Sequence, residues 1–238
     1  MNIDKLITLT EDKRKCMDKE DIIEISGNRI KCRLCNSESG TLRSIFHIYT
    51  CKYSEIYGYG PYILGKRLFL KSKIDNSKSV GILQREYISV DSNSSKTIVG
   101  TFGILSCVML CMRNKKNNLT TLAHIDTLTE DYLNIFLHYE SCINDTDVYL
   151  VGADETSKKL VNTILNYLKS KKFKLKFAYI LSNRGNNFAI NSLNGEFFID
   201  DEINVDKDLP LCFEEKFRLQ MLNIMPFCSK YLREVKKK

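Results

Sequence analysis

Gly100-Thr101-Phe102-Gly103-Ile104-Leu105-Ser106-Cys107, continued by the apolar run to Met112 and then by Leu119–Ile125, is the stretch on which the fold of this chain turns. Thr97–Met112 is β-branched, strongly apolar and punctuated by Gly100 and Gly103, a pattern that predicts a central strand. Leu119–Ile125 predicts the next strand, and the polar stretch Asn114–Asn118 the turn between them. A turn that short makes the two strands antiparallel neighbours, with the start of one beside the end of the other. Cys107 and His124, 17 residues apart, can therefore be neighbours in space.

A thiol beside an imidazole has its pKa lowered by the imidazolium, and the thiolate of that ion pair is the nucleophile. Cys111 is a second thiol four residues on, and in a strand it faces the same way as Cys107. Alternation does not choose between them; the place just after the glycine-punctuated turn favours Cys107, because glycine permits positive φ and close backbone approach to a substrate. Asp126, two residues past His124, is placed to orient the imidazole or to bind a substrate ammonium. On residue type alone, packing is the competing reading of both Cys107 and His124.

Outward from this pair, strands and helices interleave. Gly81–Val90 alternates apolar and polar residues as a half-buried strand does. Glu130–Cys142 carries Tyr132, Leu133, Ile135, Phe136 and Tyr139 at helical spacing, with Thr129 as its N-cap. Asp147–Val151 reads as a short buried strand. In Glu155–Lys169 the residues Leu160, Val161, Ile164, Leu165 and Leu168 make one apolar stripe, the strongest helix signal in the chain. Phe173–Leu181, Asn187–Ile190 and Glu196–Ile199 are further strands, with Asn194-Gly195 as a hairpin turn, and Leu209–Ile224 is a final helix. The class is α/β. A polar segment, Lys71–Lys78, separates residues 1–75 from a larger domain over residues 76–238.

The first of these parts is Cys-rich. Cys32, Cys35, His47 and Cys51 spell C-x2-C-x11-H-x3-C, close to the spacing of a small structural zinc site with a closed coordination shell. Scattered thiols, or a redox C-x-x-C, are the alternatives. Arg29, Lys31, Arg33 and Arg43, with Tyr53, Tyr57 and Tyr59 nearby, keep nucleic-acid binding open.

Composition bounds the rest. The chain has 238 residues, is 43% hydrophobic and carries a net charge of +7, a globular composition with a weak pull towards acidic partners. The Lys169–Lys176 and Lys236–Lys238 clusters read as solvated faces and a frayed tail, with a phosphate-binding patch as the alternative. The longest apolar run, Ile104–Met112, is too short to span a bilayer, so no membrane partner is expected. Nine cysteines behind a charged N-terminus that lacks a leader pattern point to a reducing compartment, cytoplasm or nucleus. A monomer is expected.

Four stretches, taken together, resemble the protein N-terminal asparagine amidohydrolase family. They are Gly81–Val90, Ile98–Cys107, Leu122-Ala123-His124-Ile125-Asp126 and Asp147–Gly152, in matching order and spacing over roughly residues 80–200. The 17-residue step from Cys107 to His124 is the family's step. The bacterial chemotaxis-receptor glutamine deamidase (CheD) is a more distant relative with the same step and a Thr six residues before its Cys, which Thr101 matches. The resemblance implies a layered α/β sandwich of the CheD-like type, here with a small N-terminal Cys-rich appendage. It implies Cys107 as nucleophile, His124 as acid–base and Thr101 as helper hydroxyl, with no catalytic cofactor. The family's His-Cys-Asp-Gly reads here as His124-Ile125-Asp126-Thr127, which carries over Asp126 as a substrate-binding candidate beside Asp154 and Glu155. The implied reaction is hydrolysis of an N-terminal Asn side-chain amide to Asp on protein or peptide substrates, feeding N-terminal-residue-dependent degradation. Deamidation of internal glutamines, and a non-catalytic zinc-containing adaptor or nucleic-acid-binding protein, are the alternatives. CheD's paired glycines are absent around Ser182–Asn187, which favours the amidohydrolase branch.

Overall fold

Local periodicity sets the strands, but two corners decide which sheet each strand joins. The structure, a computed structural model, describes residues 3–11, 23–26, 29–32, 38–40, 62–64, 74–182, 185–200 and 230–235. Helix α1 (Ile3–Glu11) is followed by β1 (Ile23–Ser26), β2 (Arg29–Cys32) and β3 (Glu38–Gly40), which form a three-stranded antiparallel sheet. Then come β4 (Tyr62–Leu64), β5 (Ser79–Ile82), β6 (Glu86–Val90), β7 (Ile98–Ile104), β8 (Val108–Asn114), β9 (Thr120–Ile125) and β10 (Thr146–Gly152). Helix α2 (Lys158–Ser170), β11 (Lys174–Ile180), β12 (Asn186–Asn191), β13 (Phe197–Asp200) and β14 (Arg233–Glu234) complete the described chain. Seven strands form a mixed sheet in the order β14-β6-β9-β8-β10-β11-β4, and four form a second in the order β13-β12-β7-β5.

The chain is mixed α/β. One core lies between the two sheets and includes Ile82, Ile88, Val99, Met109, Tyr149, Phe177 and Phe188. The other lies between the outer face of the seven-stranded sheet and the helices, where Val108, Leu110 and Ile125 meet Leu6 of α1 and Leu160, Val161, Ile164, Leu165 and Leu168 of α2. Burying each of the α2 side chains contributes about 1.5–3 kcal/mol, which holds this helix where its stripe predicts it. Both α1 and β4 come from the first 75 residues and pack on this larger unit.

Two stretches expected as single strands are each broken. Gly81–Val90 divides into β5 and β6 through a turn at Leu83–Arg85, with Arg85 at φ 61°. Thr97–Met112 divides into β7 and β8 through a turn at Leu105–Cys107, after Gly103 at φ 65°. In both cases the chain leaves the four-stranded sheet and enters the seven-stranded one. A corner of this kind needs backbone outside the extended region, and neither apolar alternation nor composition encodes which sheet comes next. The parallel pairing of β5 with β7 sets Ile82 opposite Thr101, so the two corners leave the smaller sheet side by side.

The first corner is tied down by distant chain. Glu86, fully buried, accepts from the Leu83 backbone N–H at 2.9 Å and pairs with Arg233. Strand β14 runs parallel to β6, and Arg233 N–H donates to the Arg85 carbonyl at 2.9 Å.

The expected helix over Glu130–Cys142 is replaced by 3₁₀ turns over Asn134–Asp145, broken at Cys142. Asp131 sits at φ 53°, which no helix interior accepts, and Thr129 bonds Asp126 instead of capping. Phe136 and Tyr139, three residues apart and both buried, suit the 3₁₀ repeat as well as the α repeat. The expected helix Leu209–Ile224 lies outside the described residues. Among the described residues no helix is long and apolar enough to cross a membrane.

Candidate active site

Both corners converge on His124. The antiparallel register of β8 and β9 sets Met109 opposite His124 and Val108 opposite Ile125. Cys107 is the residue before Val108, so thiol and imidazole come from adjoining ends of neighbouring strands, as the short turn between those strands predicts. The ring of His124 lies between the two sheets and meets Thr101 of the smaller sheet, whose Oγ1 is 2.7 Å from Nδ1. Arg85, at the other corner, donates its backbone N–H to the His124 carbonyl at 2.8 Å.

The hydrogen-bond network assigns the tautomer. The Thr101 hydroxyl donates to the Ile82 carbonyl at 2.9 Å. A hydroxyl has one proton, and a carbonyl can only accept. Thr101 Oγ1 is therefore the acceptor from Nδ1–H of His124, which leaves Nε2 as a bare lone pair. That Nε2 is buried and has no hydrogen-bond partner among the described residues. A buried acceptor without a donor is costly, and it persists where a reaction uses it.

Burial dominates the electrostatics. It pushes His124 down to about 4, although Asp126 pulls the other way. It pushes the Cys107 thiol up to about 12, reinforced by the negative charge of Asp126. The resting pair is thus a neutral thiol and a neutral imidazole rather than a preformed thiolate–imidazolium ion pair. Cys111 is fully buried in the layer between the sheets. Its thiol is pushed up further still, by burial, and of the two thiols only Cys107 reaches the surface, at 7% exposed.

Asp126, whose charge acts on both His124 and Cys107, is itself held by four donors. Its Oδ2 accepts from Arg85 Nε at 2.5 Å and Gln84 Nε2 at 2.7 Å. Its Oδ1 accepts from the Leu128 N–H at 3.0 Å and Thr129 Oγ1 at 2.8 Å. Burial alone would raise this carboxyl, but the hydrogen bonds from Gln84, Arg85 and Thr129 outweigh it and hold the group below its usual range. With four donors in place, Asp126 fastens the first corner to the loop after β9. Asp154 uses Oδ1 to accept from Thr156 N–H and Oγ1. Its charge reaches the Cys107 thiol, and its Oδ2 takes no hydrogen bond among the described residues.

Three contacts fix the Cys107 turn. Ala153 N–H donates to the Cys107 carbonyl at 2.7 Å, Ser157 Oγ donates to the Ser106 carbonyl at 2.5 Å, and Gly103 N–H donates to Asn187 Oδ1 at 2.9 Å. Gly152, at φ 105°, has no room for a side chain: a Cβ there would lie 2.2 Å from Ile104 Cγ2 and 2.4 Å from the Cys107 carbonyl oxygen. Leu105, on the turn that bears Cys107, and Leu128, on the loop after β9, stand exposed.

Gly152, Arg85 and Ser157 escape a reading of the sequence. The Val151-Gly152 turn carries a faint signal; the other two carry none, because each acts on a partner more than 40 residues away. Cys35, His47 and Cys51 lie outside the described residues, and of Cys32 only the strand position is described. Glu155 is described as backbone alone. Among the described residues no three His, Cys, Asp or Glu side chains gather as a metal site requires.

The buried neutral ring has a consequence for stability. In the unfolded chain His124 titrates near 6.5, in the folded chain at about 4. Between those values the unfolded chain binds more protons, so the contribution is complete above about pH 6.5 and is lost as pH falls towards 4. It amounts to about 3 kcal/mol. The melting temperature of the wild type is expected to fall more steeply from pH 6.5 to 4.5 than that of His124→Gln. Parallel curves would show that His124 does not titrate in this way.

In comparison with known families, the model for protein N-terminal asparagine amidohydrolase aligns with residues 70–195, more than half of the chain. No curated protein matches the chain.

Proposed function

The chain belongs to the protein N-terminal asparagine amidohydrolase family, hydrolases of a linear amide, and we propose that it performs this reaction through a thioester on Cys107. The observation that carries the proposal is Nε2 of His124, without a hydrogen-bond partner among the described residues and buried at the end of the strand beside Cys107. As the sulfur attacks the carboxamide carbon of an N-terminal Asn, Nε2 takes the thiol proton and then gives it to the departing nitrogen, which leaves as ammonia. Water, deprotonated by the same nitrogen, opens the thioester to Asp and restores the thiol. Backbone N–H groups of the turn that bears Cys107 hold the oxyanion.

Thr101 serves this chemistry as a positioning residue. It fixes Nδ1–H and thereby presents the lone pair of Nε2, and its hydroxyl is already engaged rather than free for an oxyanion. Asp126 likewise positions, through Arg85 and Gln84. Asp154 is the carboxylate best suited to read the substrate α-ammonium, because Oδ2 is open and its charge is felt at the thiol. The fold type that fits is the layered sandwich of the CheD-like deamidases; the helix, large-sheet and small-sheet layers support it. Cys32, Cys35, His47 and Cys51 form a structural zinc site in this reading, and no catalytic step uses it. The substrates are cytoplasmic proteins that begin with Asn, and the Asp product enters degradation.

Peptides beginning with Asn, Gln or acetylated Asn, incubated with the protein and followed by mass spectrometry, test the reading. The expected result is a +1 Da product from free N-terminal Asn alone. Conversion of acetylated Asn at an equal rate would remove the α-ammonium from recognition and favour deamidation of internal side chains.

A further inference from the structure

A groove of about 310 Å³ opens between the loop after β9 and the first turns of α2, at the lower end of the size range of ligand sites. Two of its wall residues are hydrogen-bonded to residues of the candidate active site. Ser157, in its wall, donates its hydroxyl to the carbonyl of Ser106, the residue before Cys107. Thr129, in the facing wall, donates to the carboxylate of Asp126, which holds the corner bonded to the His124 backbone. From there the groove follows α2 past Lys159 and Leu160 to Thr163, whose hydroxyl lies in hydrogen-bond contact with Tyr132.

The lining is chemically specific. The hydroxyls of Thr129, Thr156, Ser157 and Thr163 donate within the protein, which leaves their oxygens to accept from a peptide N–H, and Leu160 gives an apolar floor. Lys159 is the one charged residue of the lining; it is exposed and has no carboxylate partner among the described residues. An extended peptide advances about 3.3 Å per residue, so a chain whose first residue sits at the thiol brings its next few residues across such a groove.

We propose that this groove binds the substrate residues directly following the N-terminal Asn, and that Lys159 selects an acidic side chain among them. The proposal rests on the reaction assigned above and names the part of the substrate beyond the reacting residue.

The test is a set of peptides Asn-Ala-Ala-Ala-Ala with Glu or Lys placed in turn at the second, third and fourth positions. At one of those positions kcat/KM for the Glu peptide is expected to exceed that for the Lys peptide by about fivefold at low salt, since an exposed charge contributes little by attraction and a similar amount by repulsion. Lys159→Glu is expected to invert that ratio. A ratio that stays the same in Lys159→Glu, or near unity at all three positions, would overturn the proposal. Binding of the same peptides, fluorescently labelled, to Cys107→Ala keeps the groove testable apart from turnover. Salt-sensitive binding of the Glu peptide that Lys159→Glu abolishes supports the groove even if no Asn peptide is hydrolysed. Equal binding of Glu and Lys peptides counts against it even if Asn peptides are hydrolysed.

Discussion

Cys107→Ala is expected to reduce ammonia release from Asn peptides by about 10⁴-fold or more, to the background rate, because removal of a covalent nucleophile removes the intermediate itself. The fold should survive. Cys107 is 7% exposed, at a corner rather than in the middle of a sheet, and loss of one sulfur there leaves a small cavity open to the surface. Circular dichroism and melting should therefore match the wild type within about 1 kcal/mol, which separates a chemical loss from a structural one. Cys107→Ser should be nearly as inactive, since a hydroxyl is a much weaker nucleophile and His124, held at about 4, is a weak base for it. Cys111→Ala should keep its turnover. Its thiol packs in the layer between the sheets, and the variant is expected to lose stability instead. Were Cys107→Ala to release ammonia at the wild-type rate, the thioester route would be wrong whichever family the chain belongs to.

Gly152→Ala is the second large effect, and it acts without touching a reacting group. The backbone at Gly152 has φ 105°, and the added methyl would overlap Ile104 Cγ2 at 2.2 Å and the Cys107 carbonyl oxygen at 2.4 Å. The carbonyl cannot yield easily, because Ala153 N–H holds it at 2.7 Å. Strain and overpacking together should destabilise the fold by about 3–5 kcal/mol, and the turn that carries Cys107 must move. The expected outcome is a melting temperature lowered by many degrees, with activity lost even at temperatures where the variant is still folded. Gly103→Ala is the control. It lies four residues before Cys107 at φ 65°, but a Cβ there meets nothing within 4 Å. Only the backbone penalty remains, about 1 kcal/mol. Equal stability for the two variants would show that the close approach at Gly152 is not what shapes the turn.

The sequence by itself determined the strands β8 and β9, their antiparallel pairing and the helix α2, because each is written in contiguous residues: apolar runs, the polar turn Asn114–Asn118 and the stripe from Leu160 to Leu168. From those alone Cys107 and His124 come to adjoining strand ends. What it could not determine is what happens at the corners. Alternation through Gly81–Val90 and Thr97–Met112 is blind to a change of sheet, since both cores are apolar and period two is satisfied on either side of the break. The tertiary structure alone set Thr101 against His124 across two sheets, with its hydroxyl donating to the Ile82 carbonyl and accepting from Nδ1–H. It also filled Asp126 with donors from Gln84 and Arg85, 42 and 41 residues earlier in the chain. The protonation states were equally out of reach. A Cys–His spacing suggests an ion pair, but burial favours the neutral forms of both groups, and burial is a property of the packed molecule rather than of its letters.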